Sequence, residues 1–456
     1  MIDLRELTIA EFIRITNSGV ISLSEFYGDL ISFIQKRDSE LHAFEAFDPA
    51  LVRQRAAQIE KAARERSFYG RLCGAPIAVK DVINTAELPT ERGSAYWKGY
   101  QAGNNARVVD EMLRQGSVNL GKTVTAELAV HHPGETVNPH NPRYTPGTSS
   151  MGSAVAVSAG MALAALGTQT GSSIIRPASY TGVFGFKPSY GVIPRTGVLK
   201  TTDTLDHVGF FANHIEDIHL LFDTLRVRGS NYPVSDATLA ERFSAKVPAT
   251  IGVLKPQYLW KNYKDYVKEA FENLMNALSA DSGLNVEQIK DDGWFDASHR
   301  IHGTLYDKSL SYYFKKESQN RKIISSTLAS MVDHGNAIGA EEFQKALSDQ
   351  ESMQKEFDRR FERYDVIFTP STANIAPLRD PYKETDDTGL IWSLLGAPSL
   401  SVPVFTGPDN MPFGLQAVGV KYSDYRVLSL VAGLCQKKLL CPQSGVKLSK
   451  EEAVLR

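Results

Sequence analysis

The sequence predicts an α/β protein, because short apolar runs alternate with amphipathic helical segments along most of the chain. Residues 75–79 form an apolar run typical of a strand, and residues 105–115 form an amphipathic segment that ends before Gly116. Further strands are predicted at residues 250–254, 365–369, 399–404 and 413–420. The chain has 456 residues, 42% of them hydrophobic, and no internal repeat, so we predict one domain over residues 1–456.

Two parts of the chain are predicted to be mainly helical. Residues 1–65 carry helix-start signals and are expected to wrap the core. These signals are two capping boxes and an Asp-Pro pair: Thr8 with Glu11, Ser22 with Glu25, and Asp48 with Pro49. Residues from about 256–363 contain the amphipathic segments 264–280 and 340–363, so we expect a helical subdomain at one edge of the sheet.

Composition argues against several classes of function. The formal net charge is −2, which gives no basic surface for a nucleic-acid backbone, so no direct nucleic-acid partner is expected. Three cysteines without CxxC spacing predict neither a disulfide framework nor a zinc site, and they fit a reducing compartment. The most apolar stretch, residues 154–166, is too short to span a bilayer, and the N-terminus lacks a secretory signal pattern. We therefore expect a cytoplasmic protein without a membrane partner.

Three short motifs match known patterns in a context that does not support them. Residues 116–123 (GSVNLGKT) satisfy the phosphate-binding pattern GxxxxGK[ST], but that loop follows a strand and precedes a helix, and here the order is reversed. Residues 444–447 spell SxxK within a polar tail. Adjacent His131 and His132 would point to opposite faces of an extended segment, with no carboxylate cluster nearby. We predict no nucleotide or metal site, and a loop or pocket wall for the two histidines.

Residues 146–188 contain the most distinctive pattern in the chain. Loop-forming residues fill positions 138–152, and a run of small residues at 153–165 predicts a helix that is closely packed on all sides. A second glycine-serine loop follows, in which Gly171-Ser172-Ser173 could point backbone N–H groups at an oxyanion. The alternative is an ordinary pair of Gly/Ser turns around a packed helix, and the spacing alone leaves both open.

The arrangement resembles the amidase signature family, whose core runs GGSSGGS, a small-residue helix, GTDTGGSIRxP and GxxGxKP. The likeness covers most of the chain. Before the core, residues 74–81 (GAPIAVKD) resemble the family's catalytic-lysine strand. The later landmarks are resembled by Asp206-x-x-Gly209 and by residues 396–398 and 412–416. The resemblance implies the amidase signature fold, with a central mixed β-sheet covered by helices on both faces.

Carried to this chain, the resemblance implies a Ser-Ser-Lys triad. Ser173 is then the nucleophile, Ser149 the bridging serine that follows a cis peptide bond, and Lys80 the general base. Burial would supply the neutral form of the lysine that this role needs. The expected oxyanion and substrate-binding groups are the backbone N–H groups of the second loop and one supporting hydroxyl: Thr170, Gly171, Ser172 and Ser173, with Ser150 as the support.

The chain departs from the family pattern close to the expected site, at Thr148, Met151, Gln169, Ser172 and Arg176. Gln169 and the Ile-Ile-Arg-Pro order resemble one branch of the family, whereas Met151 and Ser172 could narrow the pocket. We predict a serine amidase that cleaves the C–N bond of a small amide and releases ammonia or an amine, without cofactor or metal. The alternative is the glutamine-hydrolysing component of a tRNA-dependent amidotransferase, its A subunit, which needs partners. A homodimer is a further family-level expectation.

Overall fold

A mixed β-sheet of eleven strands forms the centre of the part of the chain that the structure describes. The computed structural model describes residues 2–65, 70–131, 134–229, 249–382, 386–443 and 445. The strands are β1 (Phe44–Ala46), β2 (Pro76–Lys80), β3 (Val118–Thr123), β4 (Ala164–Gln169), β5 (Phe184–Lys187), β6 (His207–Ala212), β7 (Ala249–Val253), β8 (Leu284–Gln288), β9 (Val366–Pro370), β10 (Ser399–Thr406) and β11 (Pro412–Val418).

The α-helices within the described ranges, in chain order, are α1 (Ile9–Asn17), α2 (Leu23–Leu41), α3 (Pro49–Arg64), α4 (Arg107–Arg114), α5 (Met151–Ser158), α6 (Ile175–Thr181), α7 (Ile215–Leu225), α8 (Gln257–Trp260), α9 (Asp265–Ser279), α10 (Ser298–Tyr313), α11 (Ser326–Ala337), α12 (Ala340–Phe361), α13 (Leu390–Leu394) and α14 (Asp424–Gln436).

The strands lie in the order β1-β3-β2-β4-β6-β5-β10-β11-β9-β7-β8. β2 runs parallel to β3 and β4, and β7 runs parallel to β8 and β9, whereas the other neighbouring strands pair antiparallel. Every residue of β2, β3 and β4 is buried, which requires cover on both faces of the sheet. The predicted α/β fold with a mixed sheet is confirmed, and the five strands predicted from apolar runs are present as β2, β7, β9, β10 and β11.

The predicted helix at residues 153–165 is wrong in its second half. α5 ends at Ser158, Gly160 then takes a φ of +72°, and β4 begins at Ala164. Every residue of α5 and β4 is buried, as the small side chains suggested. Small side chains fit a buried strand as well as a buried helix, so this composition could not separate the two.

The first helices begin where their caps were predicted. Thr8 and Ser22 each complete a capping box, and Asp48 accepts hydrogen bonds from two N–H groups of the first turn of α3. The same segment also contains β1, which pairs with β3 and was not predicted. Between residues 256 and 363, α8 to α12 accompany β8, an unpredicted strand at the edge of the sheet.

Residues 118–123 of the phosphate-binding match lie in β3 rather than in a loop. Lys122 is fully buried, with Nζ 3.0 Å from Asp81 Oδ1, and it donates to Thr90 Oγ1 at 2.7 Å. The lysine is therefore held in a buried ion pair, and an extended strand does not form the N–H cradle of a phosphate loop.

Two predictions fall partly outside the described residues. Of the SxxK match at residues 444–447, only Gly445 is described, and of the histidine pair only His131 is described. Within the described ranges, no helix has the length and apolar character needed to cross a membrane.

The sheet brings the expected site residues to one place. Lys80 is the last residue of β2 and Gln169 the last residue of β4, and these two strands are parallel neighbours. Their carboxyl ends therefore lie side by side, and the second glycine-serine loop leaves the sheet there. α5 packs against both strands, so Ser149 and Ser150, just before its first residue, reach the same end of the sheet.

Candidate active site

Lys80 lies at the centre of a cluster of hydroxyl groups. Its side chain is fully buried, and Nζ lies 2.7 Å from Ser149 Oγ, 2.9 Å from Ser150 Oγ and 2.9 Å from Thr168 Oγ1. The sequence predicted that Lys80, Ser149 and Ser150 would act at one site. No sequence signal indicated Thr168, which reaches the cluster because β4 lies beside β2.

Ser150 indicates how the protons of this cluster are arranged. Its hydroxyl donates to the Thr168 carbonyl oxygen at 3.0 Å, so Ser150 Oγ is left as an acceptor for Lys80. A neutral amine has two protons and one lone pair. When those protons go to Ser150 and Thr168, the lone pair is free to accept the proton of Ser149. A neutral Lys80 can therefore act as the proton acceptor for Ser149.

Burial favours that neutral form. It lowers the pKa of Lys80 well below the usual 10.5, and the negative charge of Asp206 offsets only part of the effect. Asp206 accepts hydrogen bonds from the hydroxyl groups of Thr170 at 2.8 Å and Thr201 at 2.6 Å. Within the described residues, Lys80 forms no ion pair with a carboxylate.

The Thr148–Ser149 peptide bond is cis, which agrees with the resemblance. Ser149 is buried, and its carbonyl oxygen accepts the N–H of Ala126 at 3.2 Å. Met151, which stands in place of a family glycine, is the first residue of α5, and its side chain packs beside Gly134. The bulk at position 151 therefore lies against the loop that contains Gly134.

Ser173 lies in the loop between β4 and α6 and is 8% exposed. Hydrogen bonds join Lys80 to Ser149 and Ser150, whereas Ser173 is bonded to none of these three residues. Its hydroxyl has no hydrogen-bonding partner among the residues that the structure describes. The candidate nucleophile therefore has no hydrogen bond to the lysine cluster in this structure.

The unpaired backbone N–H groups around Ser173 indicate a candidate anion site. No acceptor for the N–H groups of residues 171–173 exists among the described residues, although those of Ile174 and Ile175 donate to Gln169 Oε1 at 2.8 and 3.0 Å. Unpaired N–H groups in one short turn form a site for negative charge. The Thr170 side chain, which precedes this turn, donates its hydroxyl proton to Asp206 Oδ1 at 2.8 Å.

Asp387 binds two of the residues that depart from the family pattern. Arg176 Nη2 lies 3.0 Å from Asp387 Oδ2, the Ser172 hydroxyl donates to Asp387 Oδ1, and the Gly389 N–H donates to Ser172 Oγ at 2.8 Å. Burial raises the pKa of Asp387, but the charge of Arg176 and the Ser172 hydrogen bond outweigh it, so the pKa lies below the usual 3.8. No motif surrounds Asp387, so sequence patterns could not select it.

Two histidine side chains pack around Tyr306, and one of them, His302, also contacts the Thr170 carbonyl oxygen. The rings of His131 and His302 both pack against Tyr306, with centroid distances of 6.3 and 5.7 Å. Burial lowers the pKa of His302 to about 4, so this side chain is neutral near pH 7. Within the described ranges, no three His, Cys, Asp or Glu side chains are grouped as metal ligands.

A cavity of about 670 Å³ lies on the Thr168 side of the lysine cluster. Its lining includes Thr168, Thr170 and Asp206, but not Ser173. The cavity therefore does not include the candidate nucleophile, whereas the hydrogen bonds of Lys80 identify the hydroxyl groups beside the candidate base.

The fold is that of an amidase signature enzyme, a class that hydrolyses C–N bonds. The chain belongs to the amidase family, since the model of the family described as Amidase matches residues 29–428. One similar curated protein is the A subunit of glutamyl-tRNA(Gln) amidotransferase from Sulfurimonas denitrificans (strain ATCC 33889 / DSM 1251), which is 31% identical over 77% of this chain and 86% of its own.

Solved structures support the same family. One described as a crystal structure of an amidase has a TM-score of 0.84 at 25% identity, and the match covers 94% of this chain and 100% of that one. A peptide amidase from Stenotrophomonas maltophilia has a TM-score of 0.83 at 22% identity over 96% of this chain and 98% of its own, a level of identity that shows the fold alone. The resemblance to the amidase signature family is therefore confirmed.

Proposed function

We propose that the chain is a serine amidase in which Ser173 attacks the carbonyl carbon of a small amide, while Ser149 and Lys80 carry the proton. The main support is the buried Lys80 amine, which contacts three hydroxyl groups and no carboxylate within the described residues. A lysine that is neutral in such surroundings can serve as a general base, and a serine beside a base can serve as a nucleophile.

In the first step the Ser173 Oγ–C bond forms. The Ser173 proton passes to Ser149 as Ser149 passes its own proton to Lys80. The carbonyl oxygen gains a negative charge, which the backbone N–H groups of residues 170–173 bind. In comparable sites one such donor contributes about 2.7–4 kcal/mol to the stability of the transition state.

In the second step the proton returns from Lys80 through Ser149 to the substrate nitrogen. The C–N bond then breaks, and ammonia or an amine leaves an acyl group on Ser173. Water attacks this acyl-enzyme by the same proton route and releases a carboxylic acid. Ser150 supports both steps, because its hydroxyl accepts from Lys80 and donates to the Thr168 carbonyl oxygen.

The proposed substrate is small because the loop is crowded. Ser172 stands where the family has glycine, and its hydroxyl is bound between Asp387 and the Gly389 N–H.

A cytoplasmic location and a homodimer stay predictions from the sequence. Size-exclusion chromatography of the purified chain with light scattering measures its mass in solution and so tests the homodimer.

The amidotransferase relatives support a second candidate function. The relative from Sulfurimonas denitrificans and one from Dehalococcoides mccartyi (strain CBDB1), 28% identical over 94% of this chain, are both named as the A subunit of glutamyl-tRNA(Gln) amidotransferase. In this role Ser173 would hydrolyse glutamine and the ammonia would pass to a partner protein. The chemistry at the serine is the same, and the need for a partner distinguishes the two candidates.

The test is ammonia or amine release by the purified chain from glutamine, asparagine, ureido amides and aryl amides. Ser173→Ala should abolish release, whereas Ser399→Ala, which removes a buried hydroxyl on β10, should leave it within about twofold of the parent. Activity that survives in Ser173→Ala would contradict the proposal. Release from glutamine that requires the other components of an amidotransferase would favour the second candidate.

A further inference from the structure

The N–H groups of the Ser173 loop are oriented by bonds to the opposite ends of their own peptide units. In a trans peptide unit the C=O and the N–H point in opposite directions. The peptide bonds of this loop are trans, because the described cis bonds lie elsewhere. A group that binds the carbonyl oxygen of one residue therefore also sets the direction of the next N–H.

Three peptide units of this loop, which follow the carbonyl carbons of Thr170, Gly171 and Ser172, each have such a bond. The ring of His302 contacts the Thr170 carbonyl oxygen through Nε2 at 2.9 Å, and the Ser393 hydroxyl donates to the Gly171 carbonyl oxygen at 2.7 Å. The Arg176 N–H donates to the Ser172 carbonyl oxygen at 2.9 Å. The first two bonds come from α10 and α13, far away in sequence, and they set the N–H groups of Gly171 and Ser172.

The Gln169 side chain fixes the direction in which the Ser393 hydroxyl donates its proton. Its Nε2 donates to Ser393 Oγ at 3.1 Å, which leaves the Ser393 proton for the Gly171 carbonyl oxygen. The Gln169 Oε1 atom is occupied by the N–H groups of Ile174 and Ile175. A carboxylate at position 169, as in the common family pattern, has no proton to donate and would attract the Ser393 proton to itself.

We propose that Ser393 and His302 are positioning residues that aim the Gly171 and Ser172 N–H groups at the oxyanion, and that Gln169 keeps Ser393 in this orientation. The inference rests on the proposed function of Ser173. His302 must carry its proton on Nε2 in order to donate to the Thr170 carbonyl oxygen, and the neutral ring can do so. None of these three side chains is required to touch the substrate.

A fluorophosphonate probe tests this without knowledge of the amide substrate. Ser173 Oγ attacks phosphorus, the O–P bond forms, the P–F bond breaks and fluoride leaves, while the serine proton passes to Ser149 and Lys80. The phosphoryl oxygen takes the place of the oxyanion. The rate of labelling is followed by intact-mass spectrometry of the full chain, and peptide mapping locates the adduct.

We expect Ser393→Ala and His302→Leu to slow labelling by about 10- to 100-fold, because each misaligns one oxyanion donor. His302→Gln keeps an N–H donor and should recover most of the rate. Gln169→Glu, which changes neither length nor shape, should slow labelling as Ser393→Ala does. Ser399→Ala is the control for loss of a buried hydroxyl, and thermal melting of every variant checks the fold.

The outcomes separate this inference from the proposed function. Labelling of the parent chain at Ser173, with parental rates in Ser393→Ala and in folded His302→Leu, would overturn the positioning roles and leave the nucleophile in place. If His302→Gln were labelled as slowly as His302→Leu, an N–H donor at this position would not be what orients the Gly171 N–H. Absence of labelling at Ser173 in the parent chain would overturn both proposals.

Discussion

At the scale of single residues, the chemistry depends on the charge of Lys80. Three hydroxyl groups replace the water that would otherwise solvate an ammonium group, and they do so without a counter-charge in contact. Burial in such a place disfavours the protonated form by desolvation. The negative charge of Asp206 offsets part of this effect on the pKa of Lys80 without reversing it.

The pH dependence of kcat/KM should report this lysine. Protonated Lys80 cannot act as a base, so activity should fall as the pH falls through the pKa of Lys80, at a pH well below 10.5. Lys80→Met should abolish turnover while thermal melting shows a folded chain. The profile is measured in the free enzyme with a substrate identified by the release assay. An acid limb that reached half its height only near pH 10.5 would contradict a neutral lysine.

At the scale of elements, a buried ion pair joins Lys122 of β3 to Asp81, the residue that follows β2, in addition to the backbone hydrogen bonds between the two strands. Burial raises the pKa of Asp81 to about 6, against the charge of Lys122, which holds the carboxyl ionised at neutral pH. Asp81 also accepts the N–H groups of Glu91 and Arg92 at 3.0 and 2.9 Å. This acid follows Lys80 directly, so the pair stabilises the end of the strand that carries the candidate base.

Lys122→Met should destabilise the protein by about 3–5 kcal/mol at pH 7.5, because it leaves the Asp81 carboxylate buried without its cation. The loss should be smaller at pH 5.5, where Asp81 is protonated more readily. The double variant Asp81→Asn with Lys122→Met should recover part of the loss. Urea denaturation at both pH values measures these differences. A loss below about 1 kcal/mol, or no recovery in the double variant, would argue against a stabilising pair.

The elements also show what local sequence can predict. Capping boxes involve residues three apart, so the starts of α1 and α2 were predicted correctly. The small-residue run at 153–165 lacked such local information, and the boundary between α5 and β4 was missed. The candidate triad was selected by ordered motifs that the family shares. Ser393 and His302 could not be selected in that way, because they reach the Ser173 loop across 222 and 132 residues of sequence through tertiary packing.

At the scale of the whole molecule, the tertiary fold around the central sheet brings Ser393 and His302 to the Ser173 loop. β10 pairs with β5 and β11, and α13 precedes β10, so tertiary packing rather than local sequence brings Ser393 to the loop that follows β4. α10 brings His302 to the same loop from the segment predicted to be helical. The site therefore depends on contacts between parts that lie far apart in the chain. Because some of its buried side chains can bind protons, the free energy of unfolding should depend on their protonation.

His302 should make the stability of the whole chain depend on pH. Burial lowers its pKa to about 4 from the usual 6.5, so between these values the unfolded chain binds a proton that the folded chain does not. Stability due to this group is therefore lost as the pH falls from 6.5 towards 4, by up to about 1.4 kcal/mol per pH unit. Asp81 acts in the opposite direction between its usual 3.8 and about 6, so the net slope of the parent does not isolate His302.

The difference between two variants does isolate it. His302→Gln should remove the His302 contribution, so its free energy of unfolding should fall less between pH 6.5 and 4.5 than that of the parent. His42→Gln, at an exposed side chain, is the control for replacement of a histidine. Urea denaturation at several pH values measures the slopes. If His302→Gln and the parent gave the same slope, His302 would carry equal numbers of protons in the folded and unfolded chains, and its ring would not be the neutral, buried donor that orients the Ser173 loop.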